Sequence, residues 1–149
     1  MALAVFILVM LVVATAVAAP WAWMNGDRRR EANALAMGAA ILGGGCGAVG
    51  FGFAVYFHAT QGLADVAPYA YTSLLPVVGA PIGLHAALRS RSRLARRALL
   101  VASAALTLAG APMVVVFSVG GMLTFLAALG YLAALCSPRD LFGKLDPRL

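Results

Sequence analysis

Along the chain, long runs of apolar residues alternate with short polar clusters rich in arginine. The apolar runs cover about 2–23, 32–58, 67–88 and 98–136. A helix rises about 1.5 Å per residue and a bilayer core is about 30 Å thick, so one span needs roughly 20 residues. The first three runs therefore predict one helix each. The fourth would make a rod of roughly 58 Å, nearly twice the bilayer. It is expected to fold back as a hairpin. The turn is placed at Phe117-Ser118-Val119-Gly120-Gly121, because paired glycines reverse a chain at little cost. A break at Gly110-Ala111-Pro112 would leave a first arm of about 13 residues, too short to span. The expected architecture is all-α: one bundle of five transmembrane helices, about 2–23, 32–58, 67–88, 98–117 and 120–136, with a tail over 137–149.

The polar clusters set an orientation. Arg28, Arg29 and Arg30 follow the first run. Arg89, Arg91, Arg93, Arg96 and Arg97 separate the third and fourth, and Arg139, Lys144 and Arg148 close the chain. With five spans, all these bases fall on one side. The opposite loop, 59–66, carries Asp65 as its charge. Basic loops stay cytoplasmic, so the N-terminus is expected outside and the C-terminus inside. Trp21 and Trp23 fall near the inner headgroups, and Tyr56, Phe57, Tyr69 and Tyr71 near the outer ones, where amphipathic rings settle. Ala16-Val17-Ala18 imitates a signal-cleavage site, but no basic stretch precedes the apolar core, so a retained helix is expected.

Composition sharpens this picture. Of the 149 residues 63% are hydrophobic and 11% charged, against roughly 25% charged in a soluble domain. A soluble fold of this size lacks the interior to hide that much apolar surface. The net charge of +6 does not point to nucleic acid, because the bases sit at the ends of apolar runs. The preference for Arg over Lys, with abundant Ala, Gly and Val, suggests a GC-rich bacterial genome and the plasma membrane. Cys46 and Cys136 fall in different runs, with no ligand spacing for a metal.

Three features stand out along the spans. The second run holds Gly43-Gly44-Gly45-Cys46-Gly47-Ala48-Val49-Gly50-Phe51-Gly52. Gly45, Gly47 and Gly50 spell a dinucleotide fingerprint, but that motif needs a strand and a tight turn, not the middle of a helix. Gly43, Gly47, Gly50 and Ala54 instead form a small-residue face that lets another helix approach closely. Weaker versions are Ala105 with Ala109, and Gly130 with Ala134. In the third run, Pro76 and Pro81 flank Gly79. Both prolines lack an amide hydrogen, so a kink or partial unwinding is expected there. The loop after the second run supplies His58, Gln61 and Asp65, a polar patch in which His58 and Asp65 could pair. The simpler role for Asp65 is as a cap of the third helix.

The spans carry no Asp, Glu, Lys or Arg, and no acid, base and nucleophile stand together. Catalytic, cofactor and metal sites are therefore not expected. The tail mixes both charges with Leu141, Phe142 and Leu145, which suits the membrane surface or a cytoplasmic partner. The expected function is a non-catalytic accessory or partner-binding subunit of a membrane complex, joined to a membrane protein or to itself. The alternative is a small oligomeric channel or transporter built on the broken third helix. Anionic lipid headgroups are possible partners of Arg89, Arg91, Arg93, Arg96 and Arg97.

Overall fold

The computed structural model describes residues 2–62 apart from 24–29, then Pro68, 71–90, 92–115 and 117–135. It describes their side chains except at 2–5, 19–23, 30–31, 61 and 114–115. The described residues form five α-helices, α1 (Ala2–Trp23), α2 (Arg30–Gln61), α3 (Leu74–Leu88), α4 (Arg93–Ala109) and α5 (Ser118–Leu135), with a 3-10 turn, Ala111–Val115, between the last two. Three segments are long and apolar enough to cross a membrane: Ala32–Thr60, Arg93–Met113 and Ser118–Leu135. The apolar stretches Phe6–Ala18 and Leu74–Leu88 are shorter. At 15 residues, α3 is about 22 Å long, less than a bilayer core.

Large apolar residues point outward and small ones inward. Phe6, Leu11, Val17, Met122, Phe125 and Leu126 are exposed, whereas the core is mostly alanine, glycine, serine and threonine. A soluble bundle would reverse this, since water drives large apolar groups inside. In lipid that drive between helices vanishes. Close backbone approach at small residues then holds the bundle together. The chain is a membrane protein with transmembrane helices.

Consecutive helices α2 to α5 run in alternating directions. One core cluster joins Ala36, Ala39 and Ala40 near the start of α2 with Ala86 and Ala87 at the end of α3, Leu100 and Ala104 near the start of α4, and Tyr131 and Ala134 at the end of α5. At the other end, Gly50 of α2 meets Ser73, before α3, and Met113, after α4. Helix α1 packs chiefly on α2, where Val12 covers Gly45.

The chain reverses earlier than the paired glycines imply. Helix α4 stops at Ala109, capped by Gly110, whose N–H reaches the carbonyls of Leu106 and Thr107 at 3.2 Å. Gly120 and Gly121 lie inside α5 and are buried. The first arm is not too short, because α4 begins at Arg93, with the Ser92 hydroxyl accepting from the Ala95 N–H at 3.5 Å. Residues 93–97, with Arg93, Arg96 and Arg97 among them, open this helix and lengthen the arm to 17 residues. Gly120 has its own reason to be small: a Cβ there would strike the Phe117 ring.

The third run also differs from expectation. Pro76 occupies the first turn of α3, where a missing amide hydrogen costs nothing. The helix is interrupted before it, at Thr72 and Ser73. A proline ring collides with the carbonyl four residues back, here that of Thr72. That carbonyl accepts instead from the Leu75 N–H at 3.0 Å. Pro81 sits within continuous helix.

Candidate functional site

Some of the residues singled out in sequence, Pro76 and Gly79 of α3 with Gly43, Gly47 and Gly50 of α2, meet at the centre of the bundle, around the inner face of α3. Pro76, Gly79 and Gly83 are all buried there. Each lies at helical spacing from the next, so they share one face. Pro76 packs on Gly110, where a Cβ would run into the proline ring. A Cβ at Gly79 would lie 3.2 Å from Thr107 Oγ1 and 3.3 Å from the Ser103 carbonyl, and one at Gly83 would strike the Tyr131 ring. Pro81 is exposed and outside this contact.

The glycine face of α2 closes the same centre from the opposite side. Gly43, Gly47, Gly50 and Ala54 are buried. A Cβ at Gly43 would meet Ala127 and Thr107 at 3.2 Å; at Gly47, the Ser73 carbonyl oxygen at 2.6 Å; at Gly50, the Met113 sulfur and Ser73 Cβ at 3.1 Å. The stripe at Gly43, Gly47 and Gly50 is thus covered by other segments of its own chain. Gly52 lies off this stripe, with nothing within 4 Å. Gly45, Gly47 and Gly50 are continuous helix, so the strand and turn of a dinucleotide fold are missing around them.

Hydroxyls line this centre. Ser73, Ser103, Thr107 and Thr124 are fully buried. Ser103 donates to the Leu99 carbonyl and Thr124 to that of Gly120, both at 2.8 Å. Among the described residues two buried hydroxyls are left without a hydrogen-bond partner: Thr107 Oγ1 beside Gly79, and Tyr131 Oη beside Gly83. Sequence reasoning missed both. Thr107 and Tyr131 are ordinary members of apolar runs, and only the neighbouring glycines, four residues apart on α3, mark where they insert.

The expected outer patch is only partly visible. His58 is exposed, with its ring centroid 6.2 Å from that of Tyr71. The Gln61 side chain and all of Asp65 lie outside the described residues, as does any pairing of His58 with Asp65. The tail and Cys136 also lie outside them. Cys46 is a buried free thiol. Among the described residues no group of three His, Cys, Asp or Glu side chains could hold a metal ion.

An open groove of about 380 Å³ runs between the 3-10 turn and α5, lined by Ala111, Gly121, Met122, Phe125 and Leu126. It is apolar, and lacks the convergent polar groups that orient a small ligand. No protein-family model, curated protein or solved structure matches this chain.

Proposed function

We propose that this protein is a non-catalytic accessory subunit that binds a partner helix within the plasma membrane of a bacterium. It crosses the bilayer five times, with its N-terminus outside and its C-terminus in the cytoplasm. The observation that carries the reading is the outer face of α4. Ala95, Ala98, Ala102, Ala105 and Ala109 are all exposed, and their spacing puts them on one helical stripe. Leu94, Val101 and Leu108 flank it, also exposed. Against lipid, an alanine forgoes the dispersion contacts that a larger side chain would make. Against a second helix, it allows the close approach on which membrane association depends. The partner is a membrane protein or a second copy of this chain.

Purification in mild detergent, with native mass spectrometry, tests the reading. Wild type is expected to retain a partner subunit or a second copy, and Ala102→Leu with Ala105→Leu to lose it while staying folded. A wild-type protein that runs as a lone monomer from its native membrane defeats the proposal. Reporters fused after Leu149 and within 59–65 test the orientation, with cytoplasmic and exterior signals expected respectively.

A second reading rests on the orphan hydroxyls. Thr107 Oγ1 and Tyr131 Oη beside Gly79 and Gly83 would suit a small channel or transporter centred on α3. Liposomes holding the purified protein alone separate the two. The accessory reading expects no ion or solute flux above empty vesicles. Flux abolished by Thr107→Val, Tyr131→Phe or Pro76→Ala, in protein that remains folded, promotes the channel.

A further inference from the structure

We propose that α1 is a detachable helix, and that the face of α2 it covers also accepts α1 of a second copy of this chain. Three features of the α1–α2 contact carry this. The contact is one-sided. Among the described residues α1 packs on α2 and barely touches any other element. Val9 and Ala16 are buried, whereas Phe6, Leu8, Leu11 and Val17 are exposed. The core cluster draws on α2, α3, α4 and α5, and on no described residue of α1. The contact is also apolar. Thr15 is the polar side chain within 6–18, and its hydroxyl donates to the Leu11 and Val12 carbonyls of its own helix, both at 2.9 Å. Finally, the contact is shaped. A Cβ at Gly45 would lie 2.7 and 2.9 Å from the two Val12 methyl carbons, so Val12 seats where a larger residue on α2 could not stand.

Lipid makes such a contact reversible. In water an undocked apolar helix would leave its surface wet at great cost. Between helices in a bilayer that cost is absent, because acyl chains are as apolar as the residues they replace. The backbone hydrogen bonds of a helix lie within it, so α1 breaks none on leaving α2. Its 22 uncharged residues make a rod of about 33 Å, long enough to stay inserted alone. The rest of the bundle keeps its own contacts: α2 with α3 and α5, α3 with α4, and α4 with α5.

The occupant that fits this face of α2 is another α1. Its Val12 meets Gly45 as the resident Val12 does, so exchange between two copies remakes each contact it breaks. The reciprocal arrangement is closed, as in domain swapping. Six residues, 24–29, join α1 to α2, and at full stretch they reach about 20 Å, roughly two helix widths. The two copies must therefore stand side by side. The exchange is independent of the accessory reading, since it uses α1 and α2 and leaves the outer face of α4 free.

Disulfide trapping in the full-length protein tests it. A Cβ at Gly45 would lie 3.4 Å from Val12 Cβ, close to the roughly 3.5–4.5 Å of a disulfide. Cys46 and Cys136 are changed to Ala in every chain. The donor carries Val12→Cys. The acceptor carries Gly45→Cys with Val12→Ala, which removes the clash on the new side chain. The two bear different tags, are mixed in mild detergent and are oxidised. Gel filtration and thermal denaturation confirm that each is folded. The mixture is expected to give a disulfide between differently tagged chains, below the temperature at which either unfolds. A donor with Leu11→Cys instead points its thiol elsewhere, and should give on the order of tenfold less. A single chain with both Val12→Cys and Gly45→Cys should close its own disulfide. No link between chains would overturn the proposal. With the single-chain disulfide present, α1 stays with its own α2; with it absent, the Val12–Gly45 contact does not exist. Equal yields from Val12→Cys and Leu11→Cys mean random collision, and links formed only above the unfolding midpoint mean that the whole chain opens; either result also defeats it. A second readout needs no new cysteine. Wild-type chains with the two tags are expected to co-purify after mixing, and Gly45→Leu in both, which blocks the α2 face, to abolish this. Co-purification untouched by Gly45→Leu counts against the exchange. Ala102→Leu with Ala105→Leu should leave the disulfide yield unchanged, so failure of the accessory reading and failure of the exchange are told apart.

Discussion

Helices α2 and α4 carry the same kind of signal and use it in opposite directions. Each has small residues at helical spacing. In α2 these turn inward, where Gly43, Gly47 and Gly50 face α3, α4, α5 and the 3-10 turn of the same chain. In α4 the alanines 95, 98, 102, 105 and 109 turn outward and are exposed, while Leu100, Ser103, Ala104 and Thr107 turn inward. A small-residue stripe therefore states that a backbone comes close. It does not state whose backbone. The difference separates residues that hold this fold from residues free to hold something else.

The largest effect should come from Gly47. A methyl group there would sit 2.6 Å from a main-chain oxygen, and a backbone cannot swing aside as a side-chain tip can. Gly47→Ala should cost about 3 kcal/mol or more, through overpacking and displacement of the Ser73 turn. Denaturation in mild detergent reads this as a lost or strongly lowered midpoint. A variant as stable as wild type would break the contrast at its firmest point.

Gly43→Ala should cost less, about 1 kcal/mol, since Ala127 and Thr107 need move only by tenths of an ångström from 3.2 Å. The same denaturation series ranks the two glycines. An equal loss at both would mean that neighbour type does not matter.

Thr107→Val replaces an unpartnered hydroxyl by a methyl of similar size. Packing alone predicts a stability gain of up to about 1 kcal/mol, because the buried polar group with no partner is removed. A clear loss would show that a bound water or ligand serves this hydroxyl, and would shift weight toward the channel reading.

Ala102→Leu should leave the midpoint within about 0.5 kcal/mol, as exposed positions usually do, while changing the mass of the assembly. Smallest of all is Gly52→Ala, with no atom within 4 Å of the new methyl. It should be neutral or slightly stabilising, because alanine suits a helix better than glycine.

Hydropathy alone carried much of the architecture. The helical class, the apolar segments and the basic clusters at their ends all follow from the order of residues, because a bilayer demands about 20 apolar residues and penalises charge. The glycine face of α2 was legible for the same reason: smallness at a spacing of three or four residues has few other uses in a long apolar helix. The reversal between α4 and α5 was misplaced, because Arg93, Arg96 and Arg97 look like a loop in sequence. Yet they wind into α4 once Ser92 caps it. The break before α3 was assigned to the prolines themselves, whereas Pro76 acts on the carbonyl of Thr72, one turn earlier.

Local rules thus determined what each segment is: helix or turn, apolar or basic, small or bulky. They act through neighbours along the chain and through the solvent, and both can be read in order. Only the tertiary structure decided which faces meet. It turned the α2 glycines inward and the α4 alanines outward. It left Thr107 and Tyr131 with unpaired hydroxyls. Those outcomes depend on the rotation of each helix about its axis, and that rotation is set by contacts between residues distant in sequence, such as Gly83 with Tyr131 and Pro76 with Gly110. A periodic pattern gives each helix a preferred side only when its apolar residues are confined to one face. Helices α1, α2, α3 and α5 are apolar nearly all round, so packing had to choose.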